Sequence, residues 1–198
     1  DHMQQHTGQH VLSQAFIRTV NAGTIGFHLG IGYVSIDLDC PELDEGARAA
    51  AFATANEAIS ADLAIKAYFP SPEELAGIQL RKTPEVDGAI RIVAIGDFDL
   101  SACGGTHVAR TGEVGLVQWL RTEKLKRGTR VSFLAGARAR YDYDEKHRIA
   151  VAVSETLSCT MAGIPEAVLR VQDELLAARK ALDHYREADL DREAGQLL

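Results

Sequence analysis

DHMQQHTGQHVLSQAFIRTV, residues 1–20, spaces Val11, Leu12, Ala15, Phe16 and Val20 at steps of three and four, as on one helix face. Asn21-Ala22-Gly23 supplies a stop, so a helix is predicted from Met3 to about Val20. His2, His6 and His10 recur every four residues on that helix and share one face. At about 1.5 Å rise per residue, His2 and His10 lie roughly 12 Å apart along the axis. That is too far for one tetrahedral ion with bonds of about 2 Å. At most one neighbouring pair serves a metal, and the other ligands come from elsewhere in the chain.

Beyond the helix, TIGFHLG (24–30) and YVSIDLD (33–39) alternate apolar and polar residues around Gly30-Ile31-Gly32, a hairpin pattern. Pro41 precedes an alanine-rich second helix, acidic near its start. LAIKAYF (63–69) reads as a strand, and Ser71 and Pro72 open a short helical turn. AIRIVAIGDFDL (89–100) reads as one further strand with Arg91 on its polar side. EVGLVQWLRTEKL (113–125) and TRVSFLAG (129–136) make a second hairpin through Lys126-Arg127-Gly128. From Ala137 the chain reads as helix to its end, with a break at Gly163-Ile164-Pro165. The expected class is α+β: an antiparallel sheet with packed helices, followed by a long C-terminal helix. That last helix spaces Val168, Val171, Leu175, Ala178, Leu182 and Tyr185 as a short heptad seam. A second chain could pair with it to give a homodimer. The expectation here is instead that the helix lies back on its own domain.

The chain has 198 residues, 46% of them hydrophobic and 25% charged, which suits one compact domain with extra helix, or two small lobes. No run approaches a membrane span, and no basic-then-apolar leader opens the sequence. Cys40, Cys103 and Cys159 are odd in number and widely spaced, so they form no disulfide framework. A reducing cytoplasm is expected. The net charge of −7 argues against a generic nucleic-acid coat, but the charge is uneven. Asp37–Asp62 holds seven acids and one base, whereas Arg121–Arg148 holds nine bases and four acids. The basic stretch suits phosphate contact, or simply a solvated strand pair and helix face.

SACGGTH (101–107) brings the missing ligands: Cys103 and His107, four apart, in a loop just past a strand. Thiolate and imidazole are usual zinc ligands, and two from each of two remote segments complete a set of four. Gly104 and Gly105 permit the tight turn that this convergence needs. Of the histidine pairs, His6 and His10 are chosen, because His2 sits at the frayed start. Taken singly, Cys103 could also pack as a small apolar residue, and the histidines could merely decorate a helix.

HTGQHVLSQAF (6–16) followed by SACGGTHVARTGEVG (101–115) resembles the editing domain of alanyl-tRNA synthetases and their free-standing relatives, the AlaX proteins, especially the longer bacterial ones. GFHLG, the Ala55-Asn56 pair, residues 80–82, residues 91–93 and RVSFLAGARA add to the likeness, which covers most of residues 1–145. The paired motifs are shared with the related threonyl-tRNA synthetase editing domain. The resemblance implies one zinc ion on His6, His10, Cys103 and His107. It also implies hydrolysis of the ester that links serine or glycine to alanine-specific tRNA. Family members carry a barrel-like domain before the first motif and a further domain after the coiled helix. The expectation is therefore a fragment lacking both, with residues 1–145 as the editing domain and 146–198 as a helical extension with a coiled-coil pattern.

Candidates beyond the ligands follow. Thr24, Gln9 and His28 are the residues expected to touch substrate, Thr24 through a hydroxyl that could meet a serine side chain. Gln9 reads equally as a solvent-facing glutamine, and His28 as a half-buried, satisfied histidine. Asp99 and Thr106 are expected around the ligands, where imidazoles need orienting partners. Arg81, Lys82, Lys124, Lys126 and Arg127 are the expected tRNA contacts. The alternative function is a non-catalytic, metal-bound module that holds tRNA or dimerises. A tRNA-charging ligase is disfavoured, since no ATP-binding motif is visible.

Overall fold

The computed structural model describes residues 1–78, 80–81 and 89–196, and forms two units, Asp1–Asp142 and Tyr143 onward. The elements in order are α1 (His2–Val20), β1 (Thr24–Leu29), β2 (Val34–Leu38), α2 (Glu45–Ser60), β3 (Ile65–Tyr68) and α3 (Pro72–Ala76). Then come β4 (Ile92–Ile95), β5 (Asp99–Ala102), β6 (Val117–Leu125), β7 (Gly128–Ala135), α4 (Gly136–Thr156) and α5 (Ile164–Gln196). The class is α+β with antiparallel sheets, packed helices and a long C-terminal helix.

The first unit carries a four-stranded sheet ordered β1-β2-β7-β6 and a three-stranded sheet ordered β3-β4-β5. Each hairpin is local, but β7 returns to pair with β2, Val34 opposite Phe133 and Ile36 opposite Val131. The β-branched and aromatic residues on that face meet Val11, Leu12, Ala15 and Phe16 of α1, all fully buried. Burying a side chain the size of Phe16 contributes about 1.5–3 kcal/mol. Its ring meets Phe52 of α2 edge-on, with centroids 6.2 Å apart.

Two amides dock the helices on strand backbone. Gln5 donates to the Ala135 carbonyl at 2.7 Å and accepts from the Ala135 amide at 3.1 Å. Asn56 makes the same pair of bonds to Val117, at 3.0 and 2.9 Å. At Gly8 an added Cβ would stand 2.9 Å from the Ala135 Cβ, so a glycine is what lets α1 approach β7 this closely. These contacts fix the azimuth of α1, and with it the direction of its histidines.

The structure differs from the sequence expectations in two places. Residues 89–100 do not form one strand: Gly96, at φ +50°, turns the chain so that β4 pairs with β5. The helical tail breaks earlier than Gly163, at Ser158 with φ +51°, and Pro165 sits in the first turn of α5, where its missing N–H costs nothing. On α5, Val168, Val171, Leu175, Leu182 and Tyr185 are 40–72% exposed.

Candidate metal centre

His6 and His10 lie one turn apart in the middle of α1, and Cys103 and His107 lie in the loop that leaves β5. One donor atom from each of the four residues falls within 4.8 Å of the other three. The Cys103 Sγ is 3.5 Å from His6 Nε2 and 3.4 Å from His107 Nε2. Each imidazole has its other nitrogen engaged. His6 Nδ1 is 3.1 Å from the Thr106 carbonyl oxygen, His107 Nδ1 is 3.1 Å from Thr7 Oγ1, and His10 Nδ1 is 3.3 Å from Asp99 Oδ2. Such partners set ring orientation and leave the remaining nitrogens for the cluster, the arrangement that metal-ligating histidines need.

Asp99 and Ser101 alternate on β5 and so face the same way. Ser101 Oγ donates to Asp99 Oδ2 at 2.6 Å and lies 3.3 Å from His10 Nδ1. Arg81 adds an ion pair, its Nε 3.6 Å from Asp99 Oδ1, and donates to the His10 carbonyl at 3.1 Å. Arg91 donates to the carbonyls of both Cys103 and Gly105, at 2.8 Å each, and clamps the ligand loop. Gly105 is required there: a Cβ would stand 2.2 Å from His6 Cε1. Gly104 has open space around it and carries no such constraint.

The electrostatics favour an ionised Cys103 and an ionised Asp99. Burial opposes the Cys103 thiolate, but the imidazoles of His10, His107 and His6 and the Gly105 amide outweigh it and bring its pKa down to about 3. Burial also disfavours a charged His10, yet Asp99 and Cys103 outweigh it and raise its pKa. For His107 burial prevails, helped by the charges of His10 and His6, and the pKa falls. Burial would raise Asp99, but His10, Arg81 and Ser101 hold it below the usual carboxylate range.

The cluster borders a cavity of about 790 Å³, whose lining includes Gln9, Thr24 and Phe27. Gln9 donates to Ser13 Oγ at 2.9 Å, and Thr24 donates to the same oxygen at 2.8 Å. The buried Gln9 Oε1 has no hydrogen-bond partner among the described residues. His28 does not line this cavity. Strand alternation places it opposite Ser35, on the sheet face away from α1, whereas Phe27 pairs with the core residue Ile36. Thr106 contributes a backbone carbonyl rather than its hydroxyl.

Among the expected phosphate contacts, Arg81 is instead committed to Asp99 and His10. Lys124, Lys126 and Arg127 are exposed at the β6–β7 turn, and Lys82 lies outside the described residues. Sequence reasoning missed Ser101, the clamping role of Arg91 and the inward role of Arg81. Only Ser101 left a signal, its two-residue spacing from Asp99 on a strand.

Residues 90–131 match a family model described as the threonyl and alanyl tRNA synthetase second additional domain. Over 141 residues the chain is 40% identical to the alanyl-tRNA editing protein AlaX-L of Pyrococcus horikoshii, covering 69% of this chain and 34% of that protein. It is 32% identical over 177 residues to the alanyl-tRNA editing protein Aarsd1 of Bos taurus, covering 87% of this chain and 40% of that one. It is 31% identical over 199 residues to an alanine–tRNA ligase of Pyrococcus abyssi, covering 94% and 21%. The chain thus spans between about a fifth and two fifths of the length of these relatives.

Proposed function

Because this chain belongs to the AlaX-type family of alanyl-tRNA editing proteins, we propose that it is a zinc-dependent deacylase. In this reading it hydrolyses, in trans, the ester of alanine-specific tRNA mischarged with serine or glycine. The observation that carries the reading is the convergence of three imidazoles and a thiolate on the wall of a cavity, each ring oriented by a partner. The donor set suits zinc, and the 3.4–3.5 Å separations of sulfur and nitrogen suit a tetrahedron with bonds of about 2.3 and 2.0 Å. His6, His10, Cys103 and His107 would hold the ion, which when bound polarises and orients oxygen groups.

An aminoacyl ester is already activated, so the chain must mainly position a water and choose the side chain. The orphan Gln9 Oε1 is a buried acceptor that an ammonium, a hydroxyl or a water would satisfy. Thr24 spends its proton on Ser13 and keeps its lone pairs for a donor. Together they favour serine over alanine, because a buried polar site left unpaired is costly. Glycine enters by size. For the tRNA, Lys124, Lys126 and Arg127 are the proposed phosphate contacts. Lys124 pairs with Thr129, Thr129 with Leu38 and Leu38 with Thr24, so this basic turn shares an end of the sheet with the cavity.

The test is deacylation of serine-, glycine- and alanine-charged tRNA by the zinc-loaded chain. Serine and glycine should be released and alanine spared; equal rates for serine and alanine overturn the specificity argument. One observation favours a second reading: four protein ligands close a tetrahedral ion, as in structural sites. In that reading the domain holds tRNA, or dimerises through the exposed seam of α5, without catalysis. Absence of deacylation by a metal-loaded chain that still binds tRNA would select it.

A further inference from the structure

The cavity is much larger than a seryl or glycyl group, and its volume of about 790 Å³ lies in the range of sites for whole small molecules. One rim is apolar. Ile25 and Phe27 lie two residues apart on β1, the edge strand of its sheet, and are 55% and 57% exposed. Large apolar side chains this exposed beside a cavity mark a surface that receives something. The Phe27 ring lies 6.5 Å from the His6 ring at an interplanar angle of 22°, and His6 stacks in turn on His107 at 4.3 Å and 28°. Phe27 thus stands beside the thiolate–imidazole cluster, its ring tilted 22° from that of His6.

We propose that Phe27, backed by Ile25, is the stacking platform for the terminal adenine of the substrate. This rests on the deacylase reading above, which places the ester at the cluster. The adenine hangs from the same ribose that carries the ester, so it must lie within the width of that sugar from the cluster. A planar base needs an exposed, flat, apolar partner, and stacking on an aromatic side chain supplies it without hydrogen-bond readout. Phe27 meets each requirement, and the neighbouring Ile25 extends the ledge. His28, on the other sheet face, cannot take part.

The experiment uses the zinc-loaded full chain and three variants, Phe27→Ala, Phe27→Leu and Phe27→Trp. Because Phe27 is more than half exposed, the variants should keep the wild-type circular dichroism, and Phe27→Leu preserves apolar bulk without a ring. Saturation-transfer NMR with adenosine, and with ribose 5-phosphate as control, reads binding without catalysis. Transfer to the adenine protons should be present in wild type and Phe27→Trp and lost in the other two. For serine-charged tRNA, Phe27→Ala and Phe27→Leu should raise KM on the order of tenfold with kcat little changed. No adenine transfer in wild type, or equal transfer in Phe27→Ala and wild type, overturns the platform. So does an unchanged KM in an active Phe27→Ala enzyme. Phe27-dependent adenine binding with no deacylation in any chain would instead sink the deacylase reading and leave the platform standing.

Discussion

Helices α1 and α5 are both long, and the fold treats them oppositely. In α1 the polar run Gln5–His10 is buried, while in α5 Leu175, Leu176 and Leu182 are about half exposed. What decides burial is whether the rest of the chain supplies a complement. Gln5, His6, Thr7 and His10 find partners at Ala135, Thr106, His107 and Asp99, roughly a hundred residues on or more. Buried polar groups persist only with such partners. Among the described residues of the second unit, Leu175, Leu176 and Leu182 of α5 leave an apolar face exposed. One helix carries the candidate metal ligands; the other carries an exposed apolar seam.

The contrast is open to attack at its strongest point first. Cys103→Ala should abolish stoichiometric metal, about one ion per chain falling to none by elemental analysis. It should also cut deacylation beyond the roughly 100-fold that loss of an outer partner costs, while leaving helix content by circular dichroism unchanged. Retained metal would mean that the cluster is not the site. His2→Ala should keep the ion.

Asp99→Asn comes next. It removes the charge that orients His10 and should lower metal affinity or activity by about 10–100-fold, measured by competition with a chelator. An unchanged affinity would reduce Asp99 to a packing residue. A smaller effect is expected from pH. With its pKa held at about 3, Cys103 in metal-stripped protein is already thiolate well below neutrality. Its alkylation by iodoacetamide should stay nearly flat from about pH 5 to 8, where a free thiol near 8.5 would speed up steeply. By the sign of the same shift, the stability that this thiolate contributes to metal-free protein is present above the thiol's unfolded value and is lost as pH falls toward 3.

The smallest change is expected on α5. Leu175→Ala, at a site 51% exposed, should alter unfolding free energy by no more than about 0.5 kcal/mol. A loss above about 2 kcal/mol, or a shift in sedimentation from dimer to monomer, would show that the seam is covered in solution and would break the contrast between the two helices.

Much of this was legible in the sequence. The two four-residue spacings, His6–His10 and Cys103–His107, identified the cluster, because ligand chemistry restricts which residue types can converge. Apolar periodicity located α1, and alternation located the β1–β2 and β6–β7 hairpins. Gly96 escaped notice inside an apolar run, since one left-handed φ turns a strand back on itself without changing the pattern around it. The surroundings of His28 and Arg81 were not legible for a related reason: sheet face and ion-pair partner depend on register and on remote charges.

The residues themselves determined the chemistry on offer, because thiolate, imidazole and their spacing are properties of the chain. Only the tertiary structure decided which nitrogen each ring presents, which arginine turns inward and which sheet face meets the cavity. Those choices are made by contacts between segments far apart in sequence, such as Asp99 with His10 and Arg91 with the Cys103 loop. No local pattern encodes where such segments meet; the packing of α1 against β7 does.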